Sequence, residues 1–164
     1  MAFFVEEVIG KIDSKGRTSL PAPYRSELEG SEFFGIVVFK SLEDNCYIGS
    51  DIEYLKNLFD RVAEEHGPFS RQMKIFRREV VSKSKRLSVD ADGRIVIPQA
   101  IRSQLGIDKQ LVYSGGGDFF EIWSAESFAK AHDSDASEAL EVLNGLPARK
   151  QSVTMNDLFG GGDA

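Results

Sequence analysis

Two five-residue runs, Asp13-Ser14-Lys15-Gly16-Arg17 and Asp90-Ala91-Asp92-Gly93-Arg94, carry the residue types needed to hold an anion. In each, an arginine follows an aspartate by four residues across a glycine. The guanidinium is a planar fork of donors that fits phosphate, and a carboxylate beside it can fix the direction in which the fork points. If the pair does nothing more than clasp itself, it contributes only about 0 to 1 kcal/mol as an exposed ion pair. If the turn displays Lys15 and Arg17 at the tip of a two-stranded ribbon, its shape fits the major groove of a duplex. The two readings are compatible. The runs are unequal, because Ser14-Lys15 in the first is matched by Ala91-Asp92 in the second. Asp92 repels phosphate, so Lys15 and Arg17 are the primary candidates and Arg94 the secondary one, with Asp13, Gly16, Asp90 and Gly93 shaping the turns.

These runs sit inside a longer repeat. The stretch from Ile9 to Arg25, IGKIDSKGRTSLPAPYR, returns as Arg86 to Arg102, RLSVDADGRIVIPQAIR. Asp13, Gly16, Arg17, Leu20, Pro21 and Arg25 meet Asp90, Gly93, Arg94, Ile97, Pro98 and Arg102 at a constant offset of 77 residues, the difference between 90 and 13. Beyond these blocks Val38, Asp44, Cys46 and Ile48 can be laid on Val112, Asp118, Phe120 and Ile122 once three residues are dropped. The chain reads as two copies of one module, each roughly 65 to 75 residues long.

The elements that position the runs follow from local chemistry. Phe3 to Ile12 and Val80 to Val89 are rich in β-branched and aromatic residues and predict strands. Asp at the first turn position and Gly at the fourth then reverse the chain into short strands at Thr18 to Leu20 and Ile95 to Ile97. Pro21 and Pro98 stop those strands and pre-set the first turn of a short helix, which Gly30 or Gly106 closes. Ile36 to Phe39 and Gln110 to Tyr113 predict third strands, and Cys46 to Ile48 and Phe119 to Trp123 fourth strands, joined by the loops Leu42-Glu43-Asp44-Asn45 and Gly115-Gly116-Gly117-Asp118. Helix signals follow at Ser50-Asp51-Ile52-Glu53 and Ser124-Ala125-Glu126. Between the copies, Asp51 to Glu64 and Phe69 to Arg78 read as helices broken at His66-Gly67-Pro68, the first burying Leu55, Leu58, Phe59 and Val62. The expected division is a first module over 1–50, connecting helices over 51–78, a second module over 79–124, a helical region over 125–146 with a short helix at Ala136 to Leu146, and a flexible tail over 147–164.

Charge separates the possible functions. The chain is net −6, yet residues 1–70 carry seven Lys/Arg and thirteen Asp/Glu, residues 71–102 nine and three, and residues 103–164 four and ten. The middle is a basic island of net +6: Arg71, Lys74, Arg77, Arg78, Lys83, Lys85, Arg86, Arg94 and Arg102. Such a run is often only a solvated face. With 41% apolar and 28% charged residues the sequence predicts a soluble globular protein, and no apolar run approaches a membrane span of roughly 20 residues. The start, MAFFVEEVIG, lacks the features of a secretory signal. Cys46 is the one cysteine and reads as a buried apolar residue. Neither His66 nor His132 lies in a motif that supplies a partner, and no acid/base pair is set by spacing, so no enzyme, metal or cofactor is expected.

The order strand, Asp-x-x-Gly-Arg, short apolar strand, Pro and Arg-bearing helix resembles the swapped-hairpin β-barrel of the AbrB/SpoVT class of bacterial DNA-binding proteins. Two such units in one chain, with Phe119-Phe120-Glu121-Ile122-Trp123 closing the second, resemble the MraZ family over roughly residues 1–132. The resemblance implies a mainly β fold with short helices (α+β), in which two half-modules form one pseudo-two-fold barrel. It also implies a cytoplasmic, nucleoid-associated transcriptional regulator whose subunits form a homo-oligomeric ring. In that family the ring binds short direct repeats in double-stranded DNA upstream of the division and cell-wall gene cluster, usually repressing it, through the twin motifs; this transfers to Arg17 and Arg94 with their turns. Two other classes compete: an AbrB-type antitoxin that uses the segment from Ser137 onward for a partner, and an oligomeric scaffold that binds no DNA.

Overall fold

The structure, a computed structural model, describes residues 1–132 and 135–148. Met1–Lys130 form one unit and the chain from Ala131 onward a second. In the second, α6 (Asp135–Asn144) is a helix whose Leu140, Val142 and Leu143 are exposed. Most of the expected tail, from residue 149 on, lies outside the described residues.

The first unit holds the two copies. β1 (Glu7–Lys11), β2 (Arg17–Ser19), α1 (Ala22–Leu28), β3 (Gly35–Lys40) and β4 (Tyr47–Ser50) are answered by β5 (Lys85–Ser88), β6 (Arg94–Val96), α4 (Gln99–Leu105), β7 (Gln110–Gly115) and β8 (Phe120–Ser124). Between them run α2 (Ile52–His66) and α3 (Arg71–Phe76), and α5 (Ala125–Ala131) follows the second copy. Side-chain caps start α2 and α3: Asp51 accepts the N–H of Tyr54 at 3.0 Å and Ser70 that of Met73 at 3.0 Å, each satisfying one of the unpaired donors of a first turn. Pro21 and Pro98 stand one residue earlier than expected, at the N-caps of α1 and α4. There the carbonyl of Pro21 accepts from Tyr24 and Arg25, and that of Pro98 from Ile101 and Arg102.

Six strands form one sheet in the order β1-β7-β8-β4-β3-β5, and β2 pairs with β6 in a separate ribbon. Exchanging the two copies reverses the list and leaves it unchanged, so the sheet itself carries the pseudo-two-fold. Each first strand pairs with the other copy's third strand, β1 with β7 and β5 with β3, in antiparallel register. This is the swapped-hairpin α+β fold that the resemblance implies.

Two expectations are corrected. The stretch Val80 to Val89 is a strand only over β5; Arg77–Val81 instead continues α3 as a π-helical turn, because Val80 packs with Val37, Phe39, Ile52 and Leu55 beneath α2. The alignment of Val38 with Val112 and of Cys46 with Phe120 is one residue out. Gly35 pairs with Ser88 and Gln110 with Lys11, so Gly35 answers Gln110 and Val38 answers Tyr113. A one-residue slip exchanges the faces of a strand: Val38 and Tyr113 lie in the main core, whereas Val112 and Cys46 lie on the opposite face with Trp123. Cys46 is buried, and burial together with Glu121 pushes its thiol up to about 12.

One close approach tests the packing. A Cβ on Gly49 would stand 2.5 Å from the fully buried ring of Phe120, its cross-strand partner. Gly49→Ala should destabilise the protein by about 1 to 3 kcal/mol through overpacking. The expected readout is a lower urea midpoint at unchanged slope; an unmoved midpoint would show that the ring has room.

Candidate functional site

Both turns are made by the same bonds. Asp13 Oδ1 accepts the backbone N–H groups of Lys15 and Arg17, each at 2.9 Å, and Asp90 Oδ1 accepts those of Asp92 and Arg94, each at 2.9 Å. Gly16 and Gly93 take φ of +87° and +77°, a region that L side chains rarely adopt. The guanidinium then folds back: Arg17 Nε donates to Asp13 Oδ2 at 2.7 Å and Arg94 Nε to Asp90 Oδ2 at 3.3 Å. Each aspartate therefore does two things, closing the turn through one oxygen and aiming the arginine through the other. Its pKa is lowered accordingly, first by the backbone N–H of Arg17 for Asp13 and of Arg94 for Asp90.

The turns lean on the opposite copy. Ile97 donates its N–H to the Gly16 carbonyl at 2.8 Å, and Leu20 donates to the Gly93 carbonyl at 3.0 Å. Arg102 donates from Nε to the Ile97 carbonyl at 3.0 Å and from Nη1 to the Ser14 carbonyl at 3.3 Å. Arg25 likewise donates to the Leu20 carbonyl, and a Cβ on Gly93 would meet its guanidinium at 2.9 Å. Arg25 and Arg102 are thus supports that one copy lends to the other copy's turn. Their place in the repeat, four residues after each proline, was the sequence signal, but nothing local says that they reach across copies.

The ribbon differs from the hairpin expected. β1 and β2 share only the bridge between Ile12 and Thr18, while β2 pairs with β6, setting Arg17 opposite Val96, Thr18 opposite Ile95 and Ser19 opposite Arg94. The two turns therefore flank opposite ends of one ribbon instead of capping two hairpins. Thr18 and Ile95 are buried, so alternation sends Arg17, Ser19, Arg94 and Val96 to the outer face. A shallow cleft of about 290 Å³ is lined by Lys11, Asp13, Arg17, Ser19 and Arg94 among others, which brings the two predicted arginines together. Lys11, the last residue of β1, is a cation the sequence reading missed.

The electrostatics separate the turns. Arg94 is held by Asp90 and also by Asp92, whose Oδ2 lies 2.9 Å from Nη2. The second turn is net −1. The first, with Asp13, Lys15 and Arg17, is net +1, and Lys15 is exposed and makes no ion pair among the described residues. The arrangement can bind an anion on the first turn and opposes one on the second.

The chain is similar to known proteins. A family model described as "MraZ protein, putative antitoxin-like" matches residues 81–142. The transcriptional regulator MraZ of Rickettsia akari (strain Hartford) is 32% identical over 130 residues, which cover 79% of this chain and 87% of the relative. This chain belongs to the MraZ family. The MraZ transcriptional regulator of Rickettsia canadensis (strain McKiel) is 30% identical over 141 residues, covering 86% of this chain and 94% of the relative. That of Rickettsia bellii (strain OSU 85-389) is 33% identical over 129 residues.

The aspartates give a measurable signature. A carboxyl whose folded-state pKa is depressed contributes stability above its unfolded pKa of about 3.9, and that contribution is lost as pH falls through the folded value. Carboxyl NMR titration should therefore place the midpoints of Asp13 and Asp90 below about 3.9. Arg17→Ala should raise that of Asp13 only part of the way, since the larger cause is the backbone N–H of residue 17. A midpoint for Asp13 at or above the ordinary value in the wild type would show that the clasp does not persist in solution.

Proposed function

We propose that this protein is a DNA-binding transcriptional regulator, with Lys15 and Arg17 of the first turn as the primary phosphate contacts. The observation that carries the reading is the exposed, rigidly closed cationic turn in a chain of net −6. A protein of that charge is repelled by DNA except where cations are displayed. The printed names of the relatives, transcriptional regulator MraZ, support the same role.

In this reading residues 1–50 and 79–124 are the two halves of the DNA-facing body, 51–78 connects them, and 125–146 is helical. Arg94, neutralised by two carboxylates, contributes less than Arg17, and Lys11 adds to the first turn's field. One turn neutralises few phosphates, so a single subunit binds weakly. A homo-oligomeric ring that meets several direct repeats at once multiplies that weak contact through effective concentration. The expected setting is the cytoplasm, on the nucleoid, with repression of a promoter upstream of division and cell-wall genes. The antitoxin-like wording of the matching family model favours one second reading, in which the chain also holds a protein partner; co-purification with a small partner distinguishes it.

The test is a salt titration of binding to a fragment of the protein's own upstream DNA beside a scrambled fragment. Changing Lys15 and Arg17 together to Ala should weaken binding at least tenfold and flatten the log–log salt slope by about 2 per contacting turn, at roughly 0.9 per neutralised phosphate. Arg94→Ala should have the smaller effect. Equal, feeble binding of the wild type to both fragments would make the turns purely structural and the assembly a scaffold.

A further inference from the structure

The outer face of the β2–β6 ribbon holds four side chains in two cross-strand pairs, Arg17 opposite Val96 and Ser19 opposite Arg94. Three of the four are polar. Val96 is apolar and 51% exposed, while its neighbours Ile95 and Ile97 are buried, so alternation directs it outward. At the offset of 77 the residue that answers Val96 is Ser19. A serine thus serves the same ladder at the equivalent place, and neither the strand pairing nor the core requires an exposed valine there.

Val96 is fixed beside the cationic turn. It lies across the ladder from Arg17, and the next residue, Ile97, donates its N–H to the Gly16 carbonyl at 2.8 Å. Asp13 holds Arg17 through Nε, which leaves the two Nη groups to face a ligand. The other end of the ribbon pairs Ser19 with Arg94 and adjoins the second turn, through the bond from Leu20 to the Gly93 carbonyl. There Asp92 repels phosphate. The exposed apolar side chain of the ribbon therefore stands at the end where the turn is net positive.

Contacts to phosphate set the position of a protein on a duplex and carry no sequence information. Within the major groove the base edges offer one apolar feature, the C5-methyl group of thymine. A serine hydroxyl can donate to one base or accept from another, whereas a valine can gain only from that methyl. We propose that Val96 reads a thymine methyl in the groove beside the phosphates held by Lys15 and Arg17, which makes it a specificity-determining residue. The proposal deepens the DNA-binding reading above and rests on it. It also gives the bound unit a direction. Two-fold symmetry in a protein is mirrored by a palindromic site, but a body with valine at one end of its ribbon and serine at the other meets an asymmetric site in one orientation.

Uracil is thymine without the methyl group, so exchanging the two isolates the contact. The full-length protein is titrated against a fragment of its own upstream DNA and against the same fragment with uracil in place of every thymine. Wild type should bind the uracil fragment at least about fourfold more weakly, the effect of one buried methyl-sized group. Val96→Ala and Val96→Ser should bind both fragments equally, close to the wild-type affinity for uracil DNA. Their salt slope should match that of the wild type, because no phosphate contact is lost. Val96→Ser brings the residue that β2 already carries at the equivalent position, and circular dichroism of both variants confirms that the fold is kept. Equal wild-type affinity for the two fragments overturns the methyl contact. So does a variant that keeps the preference for thymine, since another group then reads the methyl. Either result leaves the DNA-binding reading standing. A wild type that does not prefer its upstream fragment to scrambled DNA overturns both.

Discussion

Two backbone hydrogen bonds, Ile97 N–H to the Gly16 carbonyl and Leu20 N–H to the Gly93 carbonyl, hold the turn of each copy to the ribbon strand of the other. Around them β2 and β6, three residues each, have their ladder in one another. A strand this short has no independent stability. Neither copy can therefore complete its own ribbon, and the 77-residue repeat encodes one indivisible body. The same dependence sets the rest of the sheet, where β1 needs β7 and β5 needs β3.

The core fixes the ribbon from beneath. Phe4 and Tyr24 of the first copy interlock with Tyr113 and Phe120 of the second at ring separations of 4.8 to 6.0 Å. Burying tyrosine hydroxyls demands partners. Tyr24 donates to the Glu6 carbonyl at 2.7 Å, and Tyr113 donates to Thr18 Oγ1 at 3.3 Å. Burial also pushes the Tyr24 phenol up to about 12, helped by Glu6 and Glu7, so it remains a donor at physiological pH. The Tyr113 bond holds Thr18 inward, and alternation then forces Arg17 and Ser19 outward. Apolar packing in this way aims a cation that touches none of it.

What was legible in the sequence was local. Asp, Gly and Arg at fixed spacing specify a turn whose bonds all close within five residues, and the prolines mark helix starts to within one position. What was not legible depended on the partner copy. Nothing in Thr18 to Leu20 says that its ladder lies 77 residues away instead of next door, nor that Arg25 and Arg102 reach across. The slip that laid Val38 on Val112 came from dropping three residues between the blocks, where the strands drop two before β3 and two more in the loop between β3 and β4. The π-helical turn at Arg77–Val81 was hidden because Val80 and Val81 have strand propensity, which the packing of Val80 under α2 overrides.

The unequal turns follow from the same indivisibility. A pseudo-symmetric body needs both turns closed in order to fold, yet nothing requires both to meet a ligand. The second turn keeps the clasp of Asp90 on Arg94 and adds Asp92, which occupies donors of Arg94 that would otherwise face outward. It has become a structural element in which the arginine's charge is satisfied internally. The first keeps the same clasp, but its middle position is Lys15, so the satisfied arginine is accompanied by a cation that the fold does not use. Duplication allows this division: both turns keep the clasp that closure needs, and only the residue between aspartate and glycine differs in charge. A chain that folds as though it were symmetric thereby carries opposite net charge on two equivalent turns.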